Sequence, residues 1–288
     1  MRKLIGILLV AVAGALVLAD MWSTPTQANP QFKLVEPAYL TVATYGSAPP
    51  STIIQPGDVL GGVNGYWLNQ FAQAHGLKVK LFQTDFASGL IAVQQGKADV
   101  QVQLAYTPQR TKTFYFTRAF WASQVGVFTP SGFAYVGTDS LKGKRVGTIA
   151  GYIWADYVKG WCASCLTLFP NSAAAATALL NGQIDALISG QTTLLNAPLS
   201  ANLEKVNFTP LKTGDFGFPA DRIRDINYNV VSCSNAELGK AMDATLADLQ
   251  TSGKWAKAMA DMEKAMAGLK LLPANDTTND PPPVQGCQ

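Results

Sequence analysis

One arginine, Arg110, follows residues that favour the start of a helix, and its side chain is suited to binding a charged group. Thr107 can cap a helix and Pro108 suits the first helical position, so Arg110 is predicted in the first turn. The helix dipole disfavours a cation there, which suggests an anionic partner. Because a guanidinium offers a planar fork that matches a carboxylate, we predict that Arg110 binds a ligand carboxylate. The alternative is a surface salt bridge.

The chain has a single histidine, His75, in the segment Gln-Ala-His-Gly, which is typical of a helix end. A Ser-His-Asp triad, a histidine-rich metal site and most general-base chemistry would all depend on that one ring. No positioned partner is visible near it in the sequence. We therefore expect no catalytic residue, no metal site and no cofactor.

The N-terminus has the three parts of a secretory signal. Two basic residues supply the positive end, an apolar stretch covers residues 4–18, and small residues precede a cleavage point after Ala28. Cleavage after Ala19 is the alternative. Because a membrane-spanning helix needs about 20 residues, the apolar stretch is short for an anchor, although a retained anchor is the other possibility. We predict that 1–28 is a signal peptide and that the mature chain is soluble in the periplasm.

Export would place the four cysteines in an oxidising compartment, where they allow three pairings. The pair in Cys162-Ala-Ser-Cys165 could carry redox chemistry, but the thioredoxin-like context is missing. Zinc binding is disfavoured because no second close pair completes a ligand set. We favour a local Cys162–Cys165 bridge and a second bridge, Cys233–Cys287, which would hold the C-terminal tail. No free thiol is expected.

The composition is that of a chain that buries large cores. Hydrophobic residues make up 48% and charged residues 14%, well below the average of about 25%, which excludes a disordered chain. The net charge of +3 is not gathered into a basic run, so nucleic acid is not an expected partner. A mature chain of roughly 260 residues is enough for two domains of on the order of 120 residues each.

Strand and helix patterns alternate along the mature chain, which favours an α/β layer. The predicted elements are a strand at 39–44, a helix at 64–75, a strand at 78–82, a helix at 87–95, a strand at 98–102 and a long helical region from 236 to about 270. After Pro273 the composition cannot bury enough apolar surface to order itself. The C-terminal tail is therefore expected to be extended.

One internal echo predicts two similarly built lobes. The segment Ala92-Val-Gln-Gln-Gly-Lys-Ala-Asp99 is matched by Ala178-Leu-Leu-Asn-Gly-Gln-Ile-Asp185. In each, a helix is stopped by a glycine, where a left-handed turn costs little, and a short buried strand follows. Such units also recur by chance in α/β proteins, but a predicted strand at 145–149 and a predicted helix at 155–159 flank the later copy.

The motifs of both lobes, in this order and spacing, resemble those of the family 3 extracellular solute-binding proteins, the polar amino-acid receptors of ABC importers. The resemblance covers nearly all of the mature chain. The motifs are Asp85-Phe-Ala-Ser-Gly-Leu-Ile-Ala-Val-Gln-Gln-Gly-Lys-Ala-Asp99, Thr107-Pro-Gln-Arg110, Phe114-Tyr-Phe-Thr117, Leu141-Lys-Gly-Lys-Arg-Val-Gly147 and the helical pattern of 238–255.

The resemblance implies an α/β, two-lobed periplasmic-binding-protein fold, type II-like, with two interlobe crossover strands. The crossovers are expected near 121–127 and 225–231. The implied limits are lobe 1 at 29–124 and 231–272, lobe 2 at 125–230, and the extended tail at 273–288.

The resemblance also implies which residues bind the ligand. Arg110 matches the arginine of the family's Thr-x-x-Arg motif, which begins here at Thr107 and holds the ligand carboxylate. Phe86 matches an aromatic residue that covers the ligand, although it could equally be a core residue. Tyr45 and the carbonyl of Ala105 lie on loops that line the cleft in the family. The helix entry at Gly151 and Tyr152 can face an anion through its backbone N–H groups.

The sequence departs from the family where carboxylates often bind the ligand's α-ammonium. Tyr45 and Gly190 stand at or near those positions. An ammonium buried without a carboxylate would be badly desolvated. The candidate replacements on lobe 2 are Ser189, Gln191 and Thr192. A cation–π box is the alternative, and it would suit a quaternary amine; its aromatic residues would be Tyr45, Phe86, Tyr152 and Trp154.

The leading functional hypothesis is a periplasmic solute receptor of an ABC importer. It would bind an amino acid or a related small carboxylate by hinge closure, dock on a membrane permease as a monomer, and need no catalysis. One alternative is a receptor-like partner or sensor subunit that does not transport. The other is a secreted dehydratase-like enzyme on the same fold, which would need an acid or base in the cleft.

Overall fold

The computed structural model describes residues 32–265 and Cys287. The predicted signal peptide at 1–28 lies outside the described residues, and so does the predicted tail at 273–288 apart from Cys287. Within the described part of the chain, no helix is both long enough and apolar enough to cross a membrane.

Strands and helices follow one another in the alternating order that the sequence predicts. The strands are β1 (Tyr39–Thr44), β2 (Ile53–Gln55), β3 (Val59–Gly61), β4 (Lys78–Gln83), β5 (Val100–Leu104), β6 (Phe114–Phe116), β7 (Trp121–Pro130), β8 (Val146–Ile149), β9 (Leu166–Phe169), β10 (Ala186–Gly190), β11 (Val206–Pro210) and β12 (Arg224–Ser232). The helices are α1 (Gly62–Ala74), α2 (Phe86–Gln94), α3 (Ile153–Trp161), α4 (Ser172–Leu180), α5 (Ala236–Thr251) and α6 (Lys254–Ala265).

The first lobe is a sheet in which β1 lies between β4 and β5, parallel to both. Five of the six residues of β1 are buried, because helices and loops cover both faces of a parallel strand. The core beside it contains Leu40 and Val42 of β1, Trp67 and Phe71 of α1, and Met242 of α5. The helical periodicity of α1 and α5 thus turns their apolar residues towards the sheet.

The second lobe repeats this plan. Strand β8 lies between β9 and β10 and is parallel to both. Strand β7 pairs antiparallel with β10 and β11. The core of this lobe includes Val127, Val146, Trp154, Val158 and Ile188.

The two lobes are joined by β7 and β12, which pair with each other over a short stretch. Gln124 lies opposite Arg224 and Trp121 lies opposite Asn227, in antiparallel register. Beyond this stretch β12 continues along β5 and β6, whereas β7 continues along β10 and β11. This is the two-lobed α/β fold with two crossover strands that the sequence predicts. The lobe limits stay a proposal, which the change of partner between Gln124 and Val125 supports.

The echoed segments occupy equivalent places in the two lobes. Gly96 and Gly182 have positive φ angles of 67° and 66°, as the predicted left-handed turns require. The Asp99 carboxylate accepts a hydrogen bond from the Thr41 N–H at 2.7 Å. The Asp185 carboxylate accepts one from the Arg145 N–H at 2.8 Å. In each lobe the echoed aspartate therefore ties the turn to the neighbouring parallel strand.

The C-terminal region predicted to be helical, from 236 to about 270, is helical over the residues that the structure describes, 236–265. It is divided into α5 and α6 at Ser252 and Gly253. Gly253 has a φ of 73°, which ends α5 in a left-handed turn. The helical pattern predicts the region as a whole and does not place the break within it.

The structure joins Cys162 to Cys165 and Cys233 to Cys287. These are the two pairings that the sequence analysis favours, and the described cysteines include no free thiol. Cys287 also donates its backbone N–H to the carbonyl of Thr111 at 2.9 Å. The end of the chain is thereby held near the turn that carries Arg110.

Candidate functional site

A small cavity lies between the two lobes. From the first lobe it is lined by Tyr45, Ala48, Phe86, Gln103, Ala105 and Arg110; from the second by Tyr152, Ile153, Trp154, Ser172, Ser189, Gly190, Thr192, Thr193 and Asn196; and from β12 by Asp225 and Asn227. Its volume of about 30 Å³ holds about two water molecules. Hydrogen bonds from Arg110 to Gly151 and between Tyr45 and Tyr152 join the lobes beside this cavity, so a larger molecule would enter only after the lobes part or side chains move.

Arg110 is held at the cavity wall by contacts with both lobes. Its Nη1 donates to the carbonyl of Ala105 at 2.8 Å, and its Nη2 donates to the carbonyl of Gly151 on the second lobe. Burial lowers the pKa of Arg110 to about 10; the nearby Asp156 opposes this shift and Arg222 adds to it. The side chain stays charged at neutral pH, and a ligand carboxylate would be a stronger acceptor than either carbonyl.

The helix predicted near Thr107 is a single 3₁₀ turn, Arg110–Lys112, and β6 starts at Phe114. The capping contact is present, because the Thr107 hydroxyl accepts the Arg110 N–H at 3.2 Å. Arg110 therefore lies in a first helical turn, as predicted, but this helix is of the 3₁₀ type and has no second turn. Thr107 positions Arg110 without lining the cavity itself.

The helix entry of the second lobe approaches Phe86 closely. Gly151 has a φ of 84°, and a Cβ there would lie 3.0 Å from Cδ1 of Phe86. A glycine is thus required both by the backbone and by the contact. Helix α3 begins at Ile153, as the predicted helix entry requires, with Tyr152 as its N-cap residue. Gly151 lies beside the cavity and accepts the Arg110 hydrogen bond.

The aromatic residues expected to form a cation box pack against one another. The ring centroid of Phe86 lies 5.0 Å from that of Tyr45 and 4.7 Å from that of Tyr152. The ring centroids of Tyr152 and Trp154 are 4.9 Å apart. All three contacts are edge-to-face. The phenol oxygens of Tyr45 and Tyr152 are 3.1 Å apart. These packed rings connect the lobes, since Tyr45 and Phe86 come from the first and Tyr152 and Trp154 from the second.

Asp225 is the cavity residue that the sequence analysis missed as a ligand-binding candidate. It lies on β12 opposite Ser123 of β7 and lines the cavity. Burial raises the pKa of Asp225 to about 6, against the opposing effect of the Asn227 side chain. The cavity thus contains a carboxyl group although none stands at the family positions occupied here by Tyr45 and Gly190. One aspartate in a crossover strand carries no sequence signal for the face on which it lies.

Polar atoms of the second lobe complete the cavity wall. The hydroxyls of Ser189 and Thr193 are 2.9 Å apart. Trp154 Nε1 and Asn196 Oδ1 are buried without a hydrogen-bond partner among the described residues. Of the three predicted replacements, Ser189 and Thr192 line the cavity, whereas Gln191 is buried beside it and does not.

Gln103 is a further lining residue that the sequence did not single out. It lies in β5 with a φ of 60°, a strained conformation for a residue with a side chain. Its side-chain oxygen accepts a hydrogen bond from the Thr52 hydroxyl at 2.8 Å, which helps to hold it there. Across the described residues, no cluster of three or more His, Cys, Asp or Glu side chains could hold a metal ion.

Comparison with known proteins identifies the family of this architecture. The family model for bacterial extracellular solute-binding proteins, family 3, matches residues 40–261. A probable histidine-binding protein of Campylobacter jejuni is 24% identical over 220 residues, which cover 76% of this chain and 85% of that protein.

Two solved structures show the same fold at low identity. An ancestral arginine-binding protein bound to glutamine superposes with a TM-score of 0.67 at 23% identity, covering 79% of this chain and 98% of that one. A histidine kinase sensor domain with similarity to periplasmic binding proteins superposes with a TM-score of 0.68 at 18% identity, covering 81% of this chain and 97% of that one. With the match over residues 40–261, the chain belongs to the bacterial extracellular solute-binding proteins, family 3.

Proposed function

We propose that this protein is the periplasmic receptor of an ABC importer and that it binds an amino acid or a related small carboxylate. The observation that carries the proposal is the position of Arg110. Its guanidinium lies at the wall of the interlobe cavity and donates to one carbonyl from each lobe. A ligand carboxylate that replaced those carbonyls would connect the lobes through a charge-assisted, bidentate contact.

Closure of a hinge is the mechanism that this geometry supports. The lobes are linked through the short pairing of β7 with β12, so rotation there would open the cleft. In the closed form, contacts between Tyr45 and Tyr152 and between Arg222 and the carbonyl of Tyr106 already join the lobes. A ligand that adds contacts only in the closed form shifts the population towards it. The closed form would then dock on the membrane permease.

The proposed localisation and partners follow from export. Removal of 1–28 would release the mature chain as a monomer into the periplasm, where the permease is the expected partner. The likeness to a histidine kinase sensor domain supports a second candidate, a sensor or partner subunit that binds without transport. Asp225 supplies a carboxyl group in the cleft, so the dehydratase-like alternative also needs a direct test.

A binding screen with product analysis separates these functions. The mature chain would be melted with the common L-amino acids, organic acids and quaternary amines, and every hit would be measured by calorimetry. A receptor gains stability as RT ln(1 + [L]/Kd) and leaves the ligand unchanged after long incubation. Conversion of the ligand would support the enzyme, and the absence of any small-molecule ligand would support the partner subunit. Transport would be tested by uptake in cells that lack the chain.

A further inference from the structure

Asp225 occupies space that a side chain at Gly190 would otherwise fill. A Cβ built on Gly190 would lie 3.1 Å from Oδ2 of Asp225 and 3.2 Å from Oγ of Ser123. Gly190 itself has ordinary extended backbone angles, with φ −66° and ψ 146°. The glycine is therefore not needed for its backbone conformation. Its missing side chain leaves room for a carboxylate that comes from β12.

The surroundings of Asp225 leave its negative charge without a cation. Burial is the main cause of its raised pKa, and the one opposing group is Asn227. Arg110 lines the same cavity, yet the charges that shift its pKa are those of Asp156 and Arg222. The Asp225 charge instead adds to the raised pKa values of Tyr45 and Tyr152, which stay neutral. A positive and a negative group thus line one cavity without neutralising each other.

The free hydrogen-bonding atoms of the wall indicate which kind of cation fits. Asn196 Oδ1 is an acceptor and Trp154 Nε1 a donor without a partner among the described residues, and both residues line the cavity together with Asp225. The Asp225 carboxylate and Asn196 Oδ1 are both hydrogen-bond acceptors, so the cation that fits them is a ligand nitrogen that carries hydrogens. Tyr45, Phe86 and Trp154 are buried and pack edge-to-face with their neighbours, which leaves little open π surface for a quaternary amine.

We propose that Asp225 binds a protonated, N–H-bearing amine of the ligand, while Arg110 binds its carboxylate. This inference rests on the proposed function and narrows the ligand class to zwitterions with an unmethylated ammonium group. Asp225 lies on the crossover strand β12, in the stretch that pairs with β7. A ligand ammonium bound by Asp225 would therefore contact the strand that links the two lobes. The attraction between a ligand cation and this buried carboxylate would also offset part of the cost of burying the charge.

The test compares Asp225→Asn with the wild type in calorimetric titrations. The probes are the common L-amino acids, beginning with L-histidine, L-arginine and L-glutamine. For each that binds, the des-amino acid and the N-trimethyl betaine are titrated as well. We expect Asp225→Asn to weaken amino-acid binding by about 30-fold or more. We expect both analogues to bind the wild type weakly, and the des-amino acid to lose little further affinity in the variant.

Asp243→Asn is the matched control. Asp243 is a second carboxyl group whose pKa burial raises to about 6, but it lies on α5 and accepts hydrogen bonds from the Tyr115 hydroxyl and the Arg118 N–H. Its replacement should leave affinity within about threefold, as expected for a site with no shared partners. If Asp225→Asn binds as tightly as the wild type, or if the des-amino acid binds the wild type as tightly as the amino acid, this proposal falls and the receptor function stands. If no amino acid binds the wild type, this proposal falls, and the receptor function falls with it only if no related small carboxylate binds either.

Proton release provides a second readout. At pH 6, binding of L-glutamine or L-arginine should release about half a proton from the wild type and none from Asp225→Asn. The other ionisable side chains of the wall, Tyr45, Tyr152 and Arg110, keep their protons at this pH. Titrations in buffers of different ionisation enthalpy measure the release. Equal release by wild type and variant would overturn the assignment to Asp225.

Discussion

The two walls of the cleft obtain their charged groups in different ways. On the first-lobe wall, Arg110 follows Thr107 within one local motif, and the Thr107 hydroxyl caps its N–H. On the opposite side, the last residue of strand β10 is Gly190, and the charge comes from Asp225 on β12. The first wall is thus built by neighbours in the chain, whereas the second needs two strands to meet in space.

The difference shows that a wall position without a side chain can still lie beside a charged group, when another strand supplies that group. Gly190 removes a side chain from the wall, and the space is taken by a carboxylate from another strand. The hydrogen-bonded register of β7 with β12 decides that Asp225, opposite Ser123, is the residue that reaches it. A one-residue slip would turn Asp225 to the other face of the sheet.

Removal of the first-wall charge should have the largest effect. Arg110→Ala removes charge-assisted hydrogen bonds from a desolvated site, which typically costs about 2–5 kcal/mol, or roughly 30-fold to several-thousand-fold in affinity. Arg110→Lys should also bind poorly, because an ammonium cannot reproduce the fork. Calorimetry measures both, with melting temperatures as the check on folding. Unchanged affinity in Arg110→Ala would assign the residue to structure and would remove the contrast between the walls.

The carboxyl group of Asp225 on the second wall should affect how the free energy of unfolding depends on pH in the absence of ligand. The pKa of Asp225 is about 6 in the folded protein and about 3.9 when unfolded, so the folded state binds more protons between these values. Stability should therefore fall as pH rises from about 4 to about 6. Asp225→Asn should exceed the wild type by on the order of 2 kcal/mol at pH 7 and match it near pH 4. Urea unfolding across this range measures the difference; a variant less stable at pH 7 would point to a structural ion pair.

A methyl group at Gly190 tests the space between the two strands. Gly190→Ala places its Cβ near Asp225 and Ser123 at distances that force the neighbours to shift by a few tenths of an ångström. We expect about a tenfold loss of amino-acid affinity, equivalent to about 1.4 kcal/mol. Gly132→Ala is the control, since a Cβ there meets no atom within 4 Å. Equal affinity in both variants would show that the position of the carboxylate is not critical.

The hydrogen bond between Tyr45 and Tyr152, which joins the two walls, should have the smallest effect on ligand affinity. Tyr45→Phe removes the hydrogen bond between the phenols of Tyr45 and Tyr152, which are 3.1 Å apart, but leaves the ring packing. A net hydrogen bond is worth about 1 kcal/mol, so affinity should fall by roughly fivefold through a less favoured closed state. Tyr39→Phe, on the first lobe away from the cavity, should have no effect on affinity. A gain in affinity for Tyr45→Phe would mean that this contact competes with the ligand.

Much of the fold could be predicted because its signals are local. The six residues of β1, the apolar spacing of α1 and the glycine turns at Gly96 and Gly182 lie in the structure where their patterns place them. The patterns say less about where a helix ends. Helix α5 ends at Thr251, before the left-handed turn at Gly253, within a region whose pattern is helical throughout. The predicted first helical turn at Arg110 is a single 3₁₀ turn, Arg110–Lys112. Helix boundaries are less well encoded in a local pattern than the presence of a helix.

The sequence by itself determined the family, the two-lobed α/β plan and the arginine of the first wall, because each depends on residues close together in the chain. The tertiary structure alone decided that the lobes meet through Tyr45, Phe86 and Tyr152, and that Asp225 takes the place beside Gly190. These contacts depend on strand register and on how the two lobes close. Both are set by packing between distant segments, and no spacing within a single segment encodes them.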